Sequence, residues 1–451
     1  MKNRFRMLSS LAGVFLVSSL NLSANTFNSE KLDKYLESLE KNNKAMLSVN
    51  LRVDGKEIYQ NEIGFRDVRN NLSIEKNTKF RVGSISKIFT ATIAMKMIEQ
   101  GKLSLDNKLA EFYPQIANAD KITIAHLLSH RSGIFNFTNE SDYTSYMTNP
   151  KSEAELIKKF ESYEPEFSPG EKFDYSNTNY VLLGFILEKV SKKEYSELLQ
   201  QYVVKPLGLK NTYYGDKISS KNNEAYSYQF ESDKWLESSE TNMSIPHGAG
   251  AVVSTPEDLT IFLSSLLENK LLTEKSVESM KKIEQGYGKG LTVFPFGEKR
   301  AFGHGGGIDG FVSNAAYLPE DKLAISVTAN GVNYNFNNVL IGVLSIYYGL
   351  PFELPNFDAK PIDVSQDKLS ALVGEYETEA LPLDISVFIQ DGKLFAQATG
   401  QGAFPLTATA ENVFQFEAAG IVMRFNNEKQ GVSFVLEQGG GKYPYSLKVS
   451  K

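Results

Sequence analysis

Over residues 30–42 the apolar positions Leu32, Tyr35, Leu36 and Leu39 recur every three or four residues, the spacing of one helix face. Ser29 is the expected N-cap. The period then shortens: residues 45–64 read as two strands turning at Asp54-Gly55, a pair that tolerates positive φ in a tight hairpin. Residues 85–100 return to helical spacing through Ile85, Ile88, Phe89, Thr92, Met95 and Met97, with Gly101 as the stop. The stretches TIAHLLSHRSG, TNYVLLGFILEKVS, EYSELLQQYVVKPLG and TPEDLTIFLSSLLEN continue the helical reading through the middle of the chain. Strand pattern resumes after residue 286, with a hairpin in FVSNAAYLPEDKLAISVTANG turning at residues 319–322, and a last helix spans residues 335–348. These segments predict an antiparallel sheet built from the two ends of one domain, with helices inserted between them.

Residues 351–365, PFELPNFDAKPIDVS, carry three prolines and no periodicity, which is linker chemistry. Beyond them LDISVFIQ, KLFAQAT, NVFQFEA, GIVMRFN, GVSFVLEQ and YSLKVS alternate between polar and apolar positions, so residues 366–451 are expected to form a small all-β barrel. That segment has no histidine and no cluster suited to catalysis.

Composition narrows the picture. A chain of 451 residues exceeds one ordinary core, and 41% hydrophobic with 23% charged residues is the balance of a folded globular protein. The net charge of -6 leaves no basic footprint for nucleic acid. Lys2, Arg4 and Arg6 precede an apolar stretch over residues 7–22 and the small residues Ser23 and Ala24, which reads as a secretory signal over residues 1–24. Ser9, Ser10, Ser18, Ser19 and Asn21 interrupt the stretch and favour a cleaved signal over an anchor. The expectation is an exported protein, periplasmic or secreted, with no transmembrane segment after signal removal. With no cysteine, disulfides, thiolate metal sites and a cysteine nucleophile are excluded.

Three segments can carry chemistry. In RVGSISKIFTA, Ser84 at a helix mouth would sit at the positive end of the macrodipole, with Lys87 one turn later on the same face and Ser86 pointing elsewhere. A serine hydroxyl needs a base and an oxyanion site, and a lysine needs desolvation before it can be that base. Ser-x-x-Lys occurs here five times, at Ser38, Ser73, Ser84, Ser279 and Ser365, so the spacing alone does not choose. In SPGEKFDYSNTNY, Tyr175 and Asn177 follow a Pro-Gly turn; a tyrosine beside a lysine relays protons if nearby positive charge lowers its pKa from about 10. In FGHGGGIDGF, the glycines after His304 let backbone N–H groups approach a ligand, while a phosphate loop or an α/β-hydrolase element would need flanking residues that this chain lacks. His126 and His130 stand at i, i+4, but Leu127 occupies the place of a zinc-protease base and no third ligand suggests itself, so structural hydrogen bonding is expected of both. His247 receives no role.

Taken in order, SISK, YSN and HGG resemble the three motifs of the serine β-lactamase and penicillin-binding-protein superfamily, in its class C β-lactamase, D,D-peptidase and esterase branch. TIAHLLSHRSGI, FSPGEKFDYSNTNYVLLGFILEKVS, KPLGLKNTYY and GAVVSTPEDLTIFL extend the resemblance over about residues 30–348. It implies an α/β (α+β) fold: a β-lactamase/transpeptidase-like antiparallel sheet flanked by helices with a helical subdomain, over residues 25–350. A linker at 351–365 and an all-β lipocalin-like domain at 366–451 would follow. It implies Ser84 as the acylated nucleophile and Lys87 with Tyr175 as the proton-transfer pair. Asn177 would hold the substrate amide, His304 would stand where many members have lysine, and Gly306 and Gly307 would line the oxyanion site with the Ser84 and Gly307 N–H groups as donors.

No metal or organic cofactor is implied. The partner is a small-molecule or peptide substrate, cell-wall-derived peptides among them. The expected function is hydrolysis of a D-amino-acid peptide amide through an acyl-enzyme, of the D,D-carboxypeptidase or D-aminopeptidase type. A carboxylesterase, a β-lactamase and a non-catalytic penicillin- or peptide-binding sensor are the alternatives.

Overall fold

The computed structural model describes residues 27–416, 420–428, 431–438 and 441–448. The expected signal at residues 1–24 lies outside the described residues. The first helix, Ser29–Lys41, buries Leu32, Tyr35, Leu36 and Leu39 as its spacing predicts. Its cap sits one residue earlier than expected: Asn28 Oδ1 accepts a hydrogen bond from Lys31 N at 2.9 Å, and Ser29 is already helical. Asparagine satisfies an orphan N–H of the first turn as well as serine does.

The central sheet runs in the order Thr292–Phe296, Lys299–Ile308, Phe311–Leu318, Leu323–Val332, Ala45–Val53, Lys56–Ile63, with neighbours antiparallel. Its two halves come from the two ends of the domain, joined where Val49 faces Val327. Alternation decides what each face packs against. Leu47, Val49, Ile325 and Val327 share a core with the first helix and the last one, Phe336–Tyr347. Ala315, Tyr317 and Ala324 belong to a second core under the helices Ser86–Glu99, Asn177–Ser191 and Pro256–Leu267. The helix Ser86–Glu99 is buried on nearly every side, which is why its sequence shows no clean polar stripe.

Two helical readings are modified. TIAHLLSHRSG yields only the short helix Ile124–Leu128, and EYSELLQQYVVKPLG breaks into Tyr195–Leu199, a π-helical turn over Gln200–Val204 and Lys205–Leu207. Pro206 cannot donate to the preceding turn, and the wider turn absorbs the loss.

Residues 351–365 hold neither helix nor strand, and a short helix, Gln366–Ser370, precedes the C-terminal strands. Those strands form one nine-stranded antiparallel sheet that begins with Phe404–Pro405 and ends with Thr407–Ala410. Only Leu406 separates the two end strands, so the sheet curls back on itself into a nearly closed barrel around Tyr376, Phe414, Met423, Phe434 and Tyr445.

Candidate active site

The short strand Phe80–Arg81 runs into a 3-10 turn, Gly83–Ile85, and then into the helix Ser86–Glu99. Gly83 takes φ +50, and a Cβ there would lie 2.8 Å from Gly307 N, so only glycine fits between turn and strand. Ser84 stands in that turn. Ser86 points away into the interior, where its Oγ accepts a hydrogen bond from Val252 N at 2.9 Å.

Lys87 is fully buried, and its Nζ lies 2.9 Å from Ser84 Oγ, 2.8 Å from Asn177 Oδ1 and 2.9 Å from Ala249 O. None of the three partners is charged. Loss of water around the ammonium holds its pKa well below the lysine range. A neutral amine suits these partners: two N–H bonds donate to Asn177 Oδ1 and Ala249 O, and the lone pair accepts the Ser84 O–H. Tyr175 Oη donates to Ser84 Oγ at 2.9 Å from the other side. Burial pushes the Tyr175 phenol above its ordinary range, with the Ser84 bond a smaller opposing influence. This reverses the expectation of a lowered pKa, because the charge that was to lower it is suppressed in the same dry pocket. Tyr175 therefore keeps its proton and is a donor.

Asn177 opens the helix Asn177–Ser191. Its N–H donates to Asn136 Oδ1 at 2.9 Å and its Nδ2 to Thr138 Oγ1 at 3.0 Å, which aims Oδ1 at Lys87. His304 lies on the strand Lys299–Ile308 with both ring nitrogens engaged: Nδ1–H donates to Gly305 O, and Nε2 accepts from Tyr287 Oη at 3.1 Å. Burial above all draws its pKa down to about 3, so it is neutral near pH 7. Its ring centroid is 6.2 Å from that of Tyr175. A Cβ at Gly306 would fall 2.0 Å from Val82 O, whereas those at Gly305 and Gly307 meet nothing closer than 3.8 Å. The glycine run thus presses the strand against the Ser84 turn, and Ser313 Oγ locks the contact by donating to Val82 O at 3.0 Å.

The two histidines of HLLSH diverge. His126 Nδ1 accepts from Thr123 N at 3.3 Å at a helix start. His130 is fully buried, accepts at Nδ1 from Ser176 N and Asn179 Nδ2 at 3.2 Å each, and packs its ring 4.3 Å from that of Tyr175, tilted, and 4.6 Å from that of Tyr287, edge-on. Among the described residues no three His, Cys, Asp or Glu side chains gather as a metal site. Sequence reasoning missed the support of the site: His130 behind Tyr175, Tyr287 behind His304, and Ala249 over Lys87. Only the glycines of IPHGAG hinted at the last. They open the turn His247–Gly250, in which Gly248 O accepts from Thr90 Oγ1 at 2.6 Å and buried His247 Nε2 lies 3.5 Å from Glu188 Oε2.

A buried lysine and a tyrosine converge on one serine beside an antiparallel sheet flanked by helices, and the chain is a serine hydrolase of the β-lactamase fold. The family model described as Beta-lactamase matches residues 33–341, and the chain belongs to that family. Penicillin-binding protein 4* of Bacillus subtilis (strain 168) is 25% identical over 416 residues, which is 85% of this chain and 91% of that protein. Among solved structures, the D-amino acid amidase from Ochrobactrum anthropi SV3 complexed with L-phenylalanine amide has 26% identity and a TM-score of 0.60, covering 67% of this chain and 91% of its own. The octameric penicillin-binding protein homologue from Pyrococcus abyssi, at 24% identity and a TM-score of 0.64, shares the fold over 92% of this chain and 99% of its own.

Proposed function

We propose that the protein hydrolyses the amide bond of a D-amino-acid amide or peptide through an acyl-enzyme on Ser84. The hydrogen-bond set of Lys87 carries this reading: it suits a neutral amine able to take the Ser84 proton as Oγ attacks the carbonyl. The C–N bond breaks as the tetrahedral intermediate collapses, and the proton passes from Lys87, with Tyr175 as relay, to the leaving nitrogen. Water then attacks the ester and gives its proton back along the same path, which frees the acid and restores the Ser84 O–H. The Ser84 and Gly307 N–H groups would receive the oxyanion, and Asn177 the substrate amide. Gly306 acts through its missing side chain.

The amidase from Ochrobactrum anthropi supports D-amino-acid amides as the substrate class. His304 sharpens the leaving group: a neutral imidazole with both nitrogens engaged offers no cation to a terminal carboxylate. This favours the D-aminopeptidase type over the D,D-carboxypeptidase type and the β-lactamase, whose substrates carry a carboxylate. The same reading takes residues 25–350 as the catalytic domain, 366–451 as a separate barrel domain, and residues 1–24 as a signal for export to the periplasm or beyond. Product release from D-Ala-D-Ala-amide against D-Ala-D-Ala tests it: the amide is expected to react at least ~10-fold faster. Faster release from the free acid would contradict it.

A further inference from the structure

Three residues before Ser84, the Arg81 guanidinium is 2% exposed, and two residues after Gly307, the Asp309 carboxylate is 1% exposed. Arg81 Nη1 donates to Asp309 Oδ2 at 2.9 Å and to Thr241 O at 2.8 Å. Asp309 Oδ1 closes the ring by accepting from Thr241 N at 3.0 Å and Thr241 Oγ1 at 2.6 Å. Arg81 Nη2 reaches Asp216 O at 3.0 Å and Glu240 Oε1, the latter group 27% exposed at the outer end of the cluster. Asp309 itself holds φ +55, a left-handed turn that its side-chain bonds stabilise.

A buried ion pair is a costly way to join two strands, since apolar side chains close such a gap at less expense. What the pair adds is direction. Nη2, held by Asp216 O and Glu240, fixes the plane of the guanidinium, and Nη1 in that plane fixes the distance and direction to Asp309. Those segments carry the two N–H groups assigned above to the oxyanion. Oxyanion donors act only at about 2.7–3.1 Å, and a displacement of ~1 Å costs on the order of 10²-fold in rate. We infer that the Arg81–Asp309 pair is the brace that sets the spacing between the Ser84 and Gly307 N–H groups, so that both residues are positioning residues for the reaction. The inference rests on the proposed roles of Ser84 and Gly307.

The test is inactivation of the full chain by a fluorophosphonate, with kinact and KI measured separately and each variant's folding checked by its melting temperature. Asp309→Asn and Arg81→Lys are expected to lose ~30- to 100-fold in kinact with KI within ~2-fold, at temperatures where both remain folded. Glu240→Gln leaves the inner pair intact and is expected to stay within ~3-fold of the parent. Wild-type kinact in folded Asp309→Asn or Arg81→Lys overturns the brace while leaving the serine reading in place. Loss that merely tracks the unfolded fraction overturns it too. Should Asp309→Asn fail to fold, Arg81→Lys, which keeps the charge and loses the fork, decides. If the parent itself is never labelled at Ser84, the serine reading fails instead.

Discussion

Arg81, Lys87, His130 and His304 are buried in the body of the molecule, as is the Asp309 carboxylate, whereas the barrel core is Leu369, Val387, Phe414, Met423, Phe434 and their apolar neighbours. Among the described residues, tyrosine hydroxyls enter the barrel core and return to backbone, Tyr376 to Leu372 O at 2.8 Å and Tyr445 to Leu383 O at 3.1 Å. Its charges pair toward solvent, as in Lys368–Glu411. A cavity of about 450 Å³ where the linker meets the barrel is rimmed by such pairs, Arg424 with Glu437 and Lys442 with Glu353 among them. Burying an ion is expensive unless every hydrogen bond is met. The body meets that cost with partners far apart in the chain, since Arg81 binds Asp216 O, Glu240, Thr241 O and Asp309. Buried polarity therefore gathers around Ser84, whereas the barrel core of the described residues is apolar.

The comparison can be broken from either side. Lys87→Ala is expected to lower the rate of Ser84 acylation by ~10³- to 10⁴-fold, read from single-turnover labelling. Phe434→Ala, which empties a ring stacked 4.9 Å from Tyr445, is expected to cost about 3–5 kcal/mol in urea unfolding while leaving the labelling rate of folded protein unchanged. A barrel variant that slowed labelling would end the division of roles. Gly306→Ala, whose Cβ would lie 2.0 Å from Val82 O, should cost ~10²-fold in kcat through displacement of the strand. Lys368→Ala, at a pair with side chains 53% and 72% exposed, should move the melting temperature by less than ~2 °C.

Acid titration sharpens the contrast. The folded pKa of His304 lies at about 3, below the unfolded value near 6.5, so the unfolded chain binds the extra proton. The His304 contribution to stability is constant above about pH 6.5, falls by ~1.4 kcal/mol per pH unit as pH drops toward 3, and levels off below. His130 is depressed in the same direction, mainly by burial. His304→Gln should flatten this slope in urea unfolding between pH 6 and pH 4; an unchanged slope would show that the buried imidazole titrates normally.

Much of the fold was legible because its elements have strong local periods. The helix with Leu32 and Leu39 and the hairpins turning at Asp54-Gly55 and at residues 319–322 lie where the pattern puts them. So does the sheet assembled from both chain ends. The short helix Ile124–Leu128 and the π-helical turn before Pro206 were not legible, since tertiary packing and one missing N–H decide them. At the site, three motifs pointed to Ser84, Lys87, Tyr175, Asn177 and His304, and the folded chain gathers them. Burial reversed the expected shift of Tyr175, because a sequence does not reveal how dry a pocket will be. Tyr287 lay in none of the quoted segments, and Ala249 and Asp309 lay beside glycines without a role of their own: each matters through a contact made only after distant segments meet.

Intact-mass analysis after exposure to a fluorophosphonate tests the central claim most directly. One adduct per chain is predicted, on the peptide that contains Ser84, absent in folded Ser84→Ala and slowed in Lys87→Ala. Labelling that persists in Ser84→Ala, or none in the parent protein, would contradict it.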